Sequence, residues 1–167
     1  EEAREPARFA AENRGVAPWA HLTRRVSDGP CRCRCIYARS VIEHHRLGSL
    51  SNDDRHSLEA LCLVVQAADG YRPLSDDLWL ELTGSAPAGA QVVLDRRDDH
   101  IVGSAHISHA PGHWQLELVV HPRHRHAGVE RDLLDRALAE ISSDGGGEVV
   151  LWSNDPDDTT VALFTKN

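Results

Sequence analysis

Residues 90 to 120 contain three segments in which apolar and polar residues alternate, separated by two short turns. The segments "AQVVLD" and "HIVGSAHIS" are joined by the charged "RRDD", and "WQLELVV" follows a Pro-Gly turn. Alternation with a period of two is typical of strands that bury one face, and turns this short join antiparallel neighbours. The sequence therefore predicts a three-stranded antiparallel meander.

Helical patterns surround this meander. Ser51 and Asp54 predict the start of a helix that ends at Asp69-Gly70, and Ser75 predicts the cap of a second helix, "LSDDLWLEL". After the third strand, "VERDLLDRALAEI" carries its apolar residues at helical spacing. "EVVLW" predicts a fourth strand, and "DPDDTTVALF" predicts a last helix. The expected class is α+β, with a mixed, mainly antiparallel sheet flanked by helices.

Charge divides the chain into two parts. Residues 1–46 contain nine Arg and six acidic residues, whereas residues 47–167 contain nine basic and twenty acidic residues. The first part has no sustained apolar period, which predicts a poorly ordered, Arg-rich extension before a single domain at residues 47–167. The acidic body argues against a nucleic-acid partner, because such binding needs basic surface to replace counterions.

No stretch of about 18 apolar residues is present, and the first thirty residues lack the apolar core of a signal peptide. We therefore expect no membrane partner and a cytoplasmic protein. Three of the four cysteines form "CRCRC" at Cys31, Cys33 and Cys35, without the second ligand pair that a zinc site needs. We predict no metal there, and we expect Cys62 to lie in the core.

Histidines cluster around the turn between the second and third strands. His106, His109 and His113 lie close together in sequence, which suggests a metal site as one interpretation. Solvated histidines at a strand end are the interpretation that we favour, so no metal ligand is predicted here either.

A loop rich in Arg and His lies between the third strand and the helix that follows it. It contains Arg123, His124, Arg125 and His126 and ends at Gly128. A glycine-containing loop that leads into a helix presents unpaired N–H groups and a partial positive charge, which favour a phosphate. Two interpretations remain open from spacing alone: a site for a polyanion, or a solvated turn.

The segment "VVHPRHRHAGVERDLLDRAL" resembles the acetyl-CoA-binding segment of the GCN5-related N-acetyltransferase (GNAT) superfamily. That pattern is a strand ending in Val-x-Pro, then Arg/Gln-x-x-Gly-x-Gly/Ala, then a helix. The resemblance implies a GNAT-like sheet and acetyl-CoA as co-substrate, with strand amides on the pantetheine arm and loop amides on the pyrophosphate. The implied cofactor-binding residues are Leu118, Val119, Val120, Arg123, Arg125, His126, Ala127, Gly128, Val129 and Glu130.

Within the superfamily, the chain is most similar to the N-terminal half of mycothiol synthase. "LSNDDRHSLEALCLVVQAADGYRPLSDDLWLEL" resembles the opening two helices of that enzyme, and "ELVVHP" resembles its cofactor strand. The likeness implies acetyl transfer to the cysteinyl amine of an amino-sugar conjugate. It also implies a second GNAT domain, which performs the transfer. We expect the domain to be truncated before its two final strands, which leaves an open sheet edge that favours self-association.

Glu117 is the acid nearest to the implied cofactor strand, and it is our candidate for the catalytic base, with plain solvent exposure as the alternative. Two residues depart from the pattern. Glu130 replaces the small last residue of the loop motif, although a Glu there also suits the first turn of a helix. Phe164 stands where many members have a Tyr that protonates the thiolate. The chain alone is therefore expected to be inactive, and a non-catalytic CoA-binding or structural module is the alternative function.

Overall fold

The computed structural model describes residues 20–26, 40–85 and 90–153, and two residues of a later helix, Ala162 and Phe164. Short 3-10 turns lie at Leu47–Ser49 and Pro122–His124, and a π-type turn, Glu81–Ser85, continues the second helix. The strands and helices in chain order are β1 (Ala20–Val26), β2 (Val41–Arg46), α1 (Asn52–Asp69), α2 (Asp76–Leu80), β3 (Gln91–Arg97), β4 (His100–Ala110), β5 (His113–Val120), α3 (Val129–Ser143) and β6 (Gly147–Ser153).

The described strands form one six-stranded sheet in the order β1-β6-β5-β4-β3-β2. Strands β3, β4 and β5 are the predicted antiparallel meander, and β5 and β6 form a parallel pair joined through α3. Every other pair of neighbours is antiparallel. The predicted mixed, mainly antiparallel sheet flanked by helices is confirmed.

Two hydrophobic clusters cover the two faces of the sheet. One joins α3 to the face of β5 that carries Leu116 and Val120. The other joins α1 and α2 to the opposite face, where Val119 and Leu94 are buried, and it includes Cys62 as predicted. Burial raises the pKa of the Cys62 thiol to about 12, so this thiol remains protonated. The side chains of adjacent residues of β5 therefore face opposite sides of the sheet.

Helix α1 begins and ends where its sequence predicts. The Ser51 hydroxyl accepts a hydrogen bond from the N–H of Asp54 at 3.1 Å, and Gly70 closes the helix with a φ of 81°. That left-handed backbone suits glycine, because a Cβ there is disfavoured. At α2, the Ser75 side chain makes no cap; its backbone N–H has a different partner, described below.

The prediction that residues 1–46 form a poorly ordered extension is wrong for two segments. β1 pairs with β6, and β2 pairs with β3, so each occupies one edge of the described sheet. β2 shows no apolar period, and its polar side chains are instead satisfied by contacts with other elements. His44 contacts Gln91 and Glu140, and Glu43 contacts Arg96. Residues 1–19 and 27–39, including Cys31, Cys33 and Cys35, lie outside the described residues.

The predicted open edge on the fourth strand is also wrong. β6 pairs with β5 on one side and with β1 on the other, from Ala20↔Ser153 to Val26↔Gly147. The expectation of self-association through this edge therefore loses its physical basis. Separately, none of the helices in the described residues has the length and apolar character needed to cross a lipid bilayer.

Gly103 permits the close packing of α3 on the sheet. A Cβ at this position of β4 would lie 2.8 Å from Leu133 Cδ1 and 2.9 Å from Val129 Cγ1, both side chains of α3. We expect Gly103→Ala to lower the free energy of unfolding by about 1–3 kcal/mol, because a full core must move to admit the methyl group. Urea denaturation measures the change. Gly48→Ala is the control, because no atom lies within 4 Å of its added Cβ. Equal losses in both variants would contradict the packing argument.

Candidate functional site

Strands β5 and β6 separate partway along their length. Their pairing runs from Trp114↔Val149 to Glu117↔Trp152, whereas β5 continues to pair with β4 as far as Val120. The N–H of His121 donates to the carbonyl of Val102 on β4 at 2.9 Å. In an antiparallel strand, the N–H and C=O groups of successive residues point alternately to the two sides of the strand. The N–H and C=O of Val119 therefore point toward β4, and those of Val120 point toward the side on which β6 lies. No described strand pairs with Val120 on that side.

The Arg-His loop begins at this point. The His121 ring accepts a hydrogen bond from the N–H of Arg123 at 3.2 Å, and the chain then turns through Pro122–His124. His126 and Gly128 both have positive φ, 59° and 89°, and α3 follows at once. The loop thus brings together Arg123, His126, Ala127 and Gly128, which the sequence predicted as a cluster, whereas the side chain of Val129 is buried in the core beneath them.

Arg125 contacts a carboxylate of the same chain. Its guanidinium donates to the two carboxylate oxygens of Asp69 at 2.9 and 2.6 Å, and its Nε donates to the carbonyl of Val120 at 3.3 Å. The residue therefore joins the end of α1 to the end of β5. A bidentate ion pair of this kind neutralises much of the charge that was predicted to face a phosphate.

Glu130 occupies the inside of the loop. Its Oε1 accepts a hydrogen bond from the N–H of His126 at 3.0 Å, and the residue is only 4% exposed. A carboxylate thus already satisfies one of the loop amides that would otherwise be available to an anion. The gap beside Val120 suits an extended pantetheine arm, but the loop must release Glu130 before His126 can bind a phosphate oxygen.

Glu117 is the last residue of β5 that pairs with β6, and it is only 4% exposed. Its Oε2 accepts a hydrogen bond from the N–H of Ser75 at 2.8 Å, which places the carboxylate beneath the start of α2. Burial raises the pKa of Glu117, and contacts with Ser75 partly oppose that shift. A carboxylate with a raised pKa is a better proton acceptor, as a general base requires.

A cleft of about 390 Å³ opens beside Glu117. It lies between α2 and one face of the sheet, and Ser75, Asp77 and Glu81 contribute to its wall from the helical side. These residues were not predicted as site residues, because "SDDLWLEL" reads as an ordinary amphipathic helix. The remaining lining residues are Leu78, Ser108, His109, Gln115, Glu117 and Trp152.

The prediction that His106 is a solvated histidine is wrong. The residue is the cross-strand partner of Glu117, 0% exposed, and its Nε2 lies 3.1 Å from the Ser104 hydroxyl. Burial lowers the pKa of His106 to about 4, so the ring is neutral at pH 7. His109 packs edge to face on Trp114, with ring centroids 4.8 Å apart. Within the described residues, no group of three or more His, Cys, Asp or Glu side chains is arranged to hold a metal ion.

Comparison with known families decides the assignment. Residues 54–167 match the model of the acetyltransferase (GNAT) family. The chain belongs to the GNAT acetyltransferase family. Members of this family use acetyl-CoA as the acetyl donor, which agrees with the resemblance found in the sequence of the strand, loop and helix at residues 116–138.

Relatives of this GNAT domain include proteins named mycothiol acetyltransferase. The chain is 36% identical over 96 residues to the one from Clavibacter sepedonicus, with 57% of this chain and 30% of the relative covered. It is 41% identical over 88 residues to the one from Geodermatophilus obscurus, with 51% and 28% covered. The chain therefore spans about a third of the length of these relatives.

Solved structures agree on the GNAT fold. An Escherichia coli ribosomal-protein-S18-alanine N-acetyltransferase matches with a TM-score of 0.57 at 14% identity, covering 75% of this chain and 76% of that one. An aminoglycoside acetyltransferase from an uncultured soil metagenomic sample matches with a TM-score of 0.55 at 15% identity, covering 76% and 86%. Identities this low support the fold alone.

Phe164 is buried and does not meet the cleft as a proton donor would. Its ring is buried in the cluster that joins α3 to the sheet, 1% exposed. A phenyl ring has no proton to give, so this GNAT domain lacks a hydroxyl acid at that position.

Proposed function

We propose that this GNAT domain transfers an acetyl group from acetyl-CoA to a small-molecule amine, with Glu117 as the base. The observation that supports the proposal most strongly is the position of Glu117. Its buried carboxylate lies where β5 and β6 separate, and it faces the cleft beside α2. The gap between the strands suits the donor, and the cleft suits the acceptor, so Glu117 lies where the two meet.

In this proposal the donor supplies an activated acetyl thioester, and the chain supplies proton transfer and position. The Glu117 carboxylate takes a proton from the protonated amine, and the free nitrogen then attacks the thioester carbonyl. As the carbon–sulfur bond breaks, the nitrogen loses its second proton to solvent, and the departing thiolate takes up a proton from solvent. The Ser75 N–H holds Glu117 Oε2 in place, which leaves the other oxygen for the proton. The backbone N–H of Val120 faces the gap, where it can polarise the thioester carbonyl.

The acceptor in this proposal is the cysteinyl amine of an amino-sugar conjugate. Support comes from the names of the relatives, mycothiol acetyltransferase, at 36% and 41% identity. Because the chain spans about a third of their length, we further propose a second GNAT domain as its partner.

A non-catalytic CoA-binding or structural module is the second candidate function. The observation that favours it is the closed loop: Glu130 accepts the His126 N–H, and Arg125 is paired with Asp69. The loop N–H and the guanidinium that would bind a pyrophosphate therefore both have partners within the chain. Such a domain binds acetyl-CoA weakly, and it has no hydroxyl acid at Phe164 that could protonate a thiolate.

Two measurements on the same preparation separate the candidates. Titration calorimetry measures acetyl-CoA binding, and mass spectrometry measures the N-acetyl product from a cysteinyl glucosamine conjugate. The transferase proposal expects binding together with a product that appears in proportion to released CoA thiol, against the inactivity that Glu130 and Phe164 predict for this chain alone. Binding without product supports the non-catalytic module. No binding at millimolar acetyl-CoA overturns the transferase and the CoA-binding module, and leaves only a structural module.

A further inference from the structure

His106 is a buried polar residue beside the proposed base, and the proton transfer described above gives it no role. It is 0% exposed, and its Nε2 lies 3.1 Å from the Ser104 hydroxyl. Its Nδ1 is closed off from solvent and has no hydrogen-bond partner within the described residues. A buried polar atom without a partner costs stability. Because a ligand in the cleft cannot reach this nitrogen, any partner for it must belong to the protein.

The row of paired residues across the sheet shows which partner is available. His106 pairs with Val92 of β3 on one side and with Glu117 of β5 on the other. Residues paired directly across antiparallel strands carry their side chains on the same face, with Cβ atoms about 4.5–5.5 Å apart. Val92 is buried and apolar, so its side chain offers neither a donor nor an acceptor. The polar neighbour of the ring in this row is therefore Glu117.

The protonation of the two groups decides which hydrogen bond they can form. The imidazole ring is neutral, so one nitrogen carries a proton and the other carries a lone pair. Nδ1 makes no hydrogen bond with the Glu117 carboxylate, although a ring N–H beside a carboxylate is expected to donate to it. Two acceptors form no bond. The unpaired state of Nδ1 thus fits a lone pair, with Nε2–H donating to the Ser104 hydroxyl.

We propose that His106 is a positioning residue for the base: once Glu117 has taken a proton, its carboxylic O–H donates to Nδ1 of His106. The proton moves from the amine nitrogen to the carboxylate, and it passes to solvent before the next turnover. The ionised carboxylate gains nothing from the lone pair, whereas the protonated acid gains a hydrogen bond. His106 therefore makes Glu117 a stronger base. The inference rests on the proposed function for the reaction, but the hydrogen bond is measured without turnover.

Other groups that face Glu117 also act on its proton. Burial is the main cause of its raised pKa, the Ser75 N–H opposes that shift, and the charge of Asp77 adds to it. The remaining titratable groups on the elements around the carboxylate are Glu81, His109 and Cys62. All of these groups are retained when His106 alone is replaced, so a change in the titration of Glu117 reports on His106.

Nitrogen-15 and carbon-13 NMR on the parent protein test the hydrogen bond without a substitution at His106. Nitrogen-15 spectra distinguish a protonated ring nitrogen from an unprotonated one, and we expect the proton of His106 on Nε2. The Nδ1 signal should shift over the pH range in which the Glu117 carboxyl titrates, because Nδ1 then accepts the new O–H. Loss of a signal in Glu117→Gln identifies that carboxyl. A proton on Nδ1, or an Nδ1 signal that does not follow the Glu117 titration, would overturn the proposal.

Two substitutions separate the roles of the two ring nitrogens. His106→Asn keeps an acceptor at the position of Nδ1 and loses the contact with Ser104, whereas His106→Gln reaches Ser104 and loses that acceptor. In His106→Gln we expect the midpoint of the Glu117 titration, and of the rise of kcat/KM with pH, to fall by about one pH unit, the size of one neutral hydrogen bond. His106→Asn should keep both midpoints near those of the parent. The reverse order would assign the effect to Ser104 and overturn the role of Nδ1.

His100→Gln is the matched control for these variants. His100 lies exposed on the same strand and does not line the cleft, so both midpoints should stay at the parent's values. If neither His106 variant folds, the nitrogen-15 experiment on the parent decides alone.

The outcome is separable from that of the proposed function. A Glu117 titration that falls in His106→Gln, in a protein that forms no N-acetyl product, supports the hydrogen bond and overturns the transferase. Acetylation of the cysteinyl conjugate, with an unchanged titration in His106→Gln, supports the transferase and overturns the role of His106.

Discussion

Replacing Glu117 with Gln is expected to lower kcat/KM for acetyl transfer by about 10²–10⁴-fold, the range that a positioned general base contributes. The Kd for acetyl-CoA is expected to change less than about twofold, because the donor gap is formed by the backbone of β5 beyond Glu117. Gln keeps an oxygen for the Ser75 N–H, so the wall of the cleft stays in place. Steady-state kinetics and calorimetry on one preparation measure both quantities.

The pH profile distinguishes a base from a structural carboxylate. Glu117 accepts a proton only when it is ionised, so kcat/KM should rise as pH increases through its pKa. Burial raises that pKa, which places the rise above the pH range of an exposed glutamate. We expect this limb to disappear in Glu117→Gln. It should persist in the control Asp53→Asn, because Asp53 lies exposed in the first turn of α1 and does not line the cleft. A variant that keeps both the rate and the limb would show that Glu117 is not the base.

Local signals explain the parts of the fold that were predictable. Ser51 and Gly70 mark the ends of α1 because each satisfies backbone groups of the helix by contacts within a few residues. The meander was predictable because its strands alternate and its turns are short. Edge strands such as β2 lack that signal, since one row of their backbone groups is unpaired and polar side chains are tolerated there.

Only the part of the site on strand β5 could be predicted from the sequence. Alternation along "WQLELVV" placed Glu117 on the face opposite Leu116 and Leu118, and the structure agrees. The cleft wall at Glu81 depends on how α2 packs over β5, which no local pattern encodes. The ion pair of Arg125 with Asp69 could not be predicted for the same reason, because the two residues are 56 positions apart in sequence.

Glu130→Gly is expected to tighten acetyl-CoA binding by about tenfold or more. In the parent, the Glu130 carboxylate accepts the His126 N–H and is buried inside the loop. Glycine at this position frees that amide for a phosphate oxygen and removes a charge of the same sign as the ligand. Two unit charges 4 Å apart repel by roughly 4 kcal/mol at an effective dielectric constant of 20, which is an upper figure for the gain. Calorimetry at low and high salt measures it.

Two further variants separate charge from space in the loop. Glu130→Gln keeps the side chain and an acceptor for His126 but removes the charge, so we expect a smaller gain that vanishes as salt screens the remaining field. Asp132→Asn removes one exposed charge from the same first turn of α3 without freeing a loop amide, and it is expected to bind acetyl-CoA like the parent. Glycine in a helix costs about 1 kcal/mol of stability, so a gain in affinity must come from the loop and not from a firmer fold. If Glu130→Gly and Asp132→Asn bind equally, net charge alone governs the donor, and the amide of His126 is no part of a phosphate site.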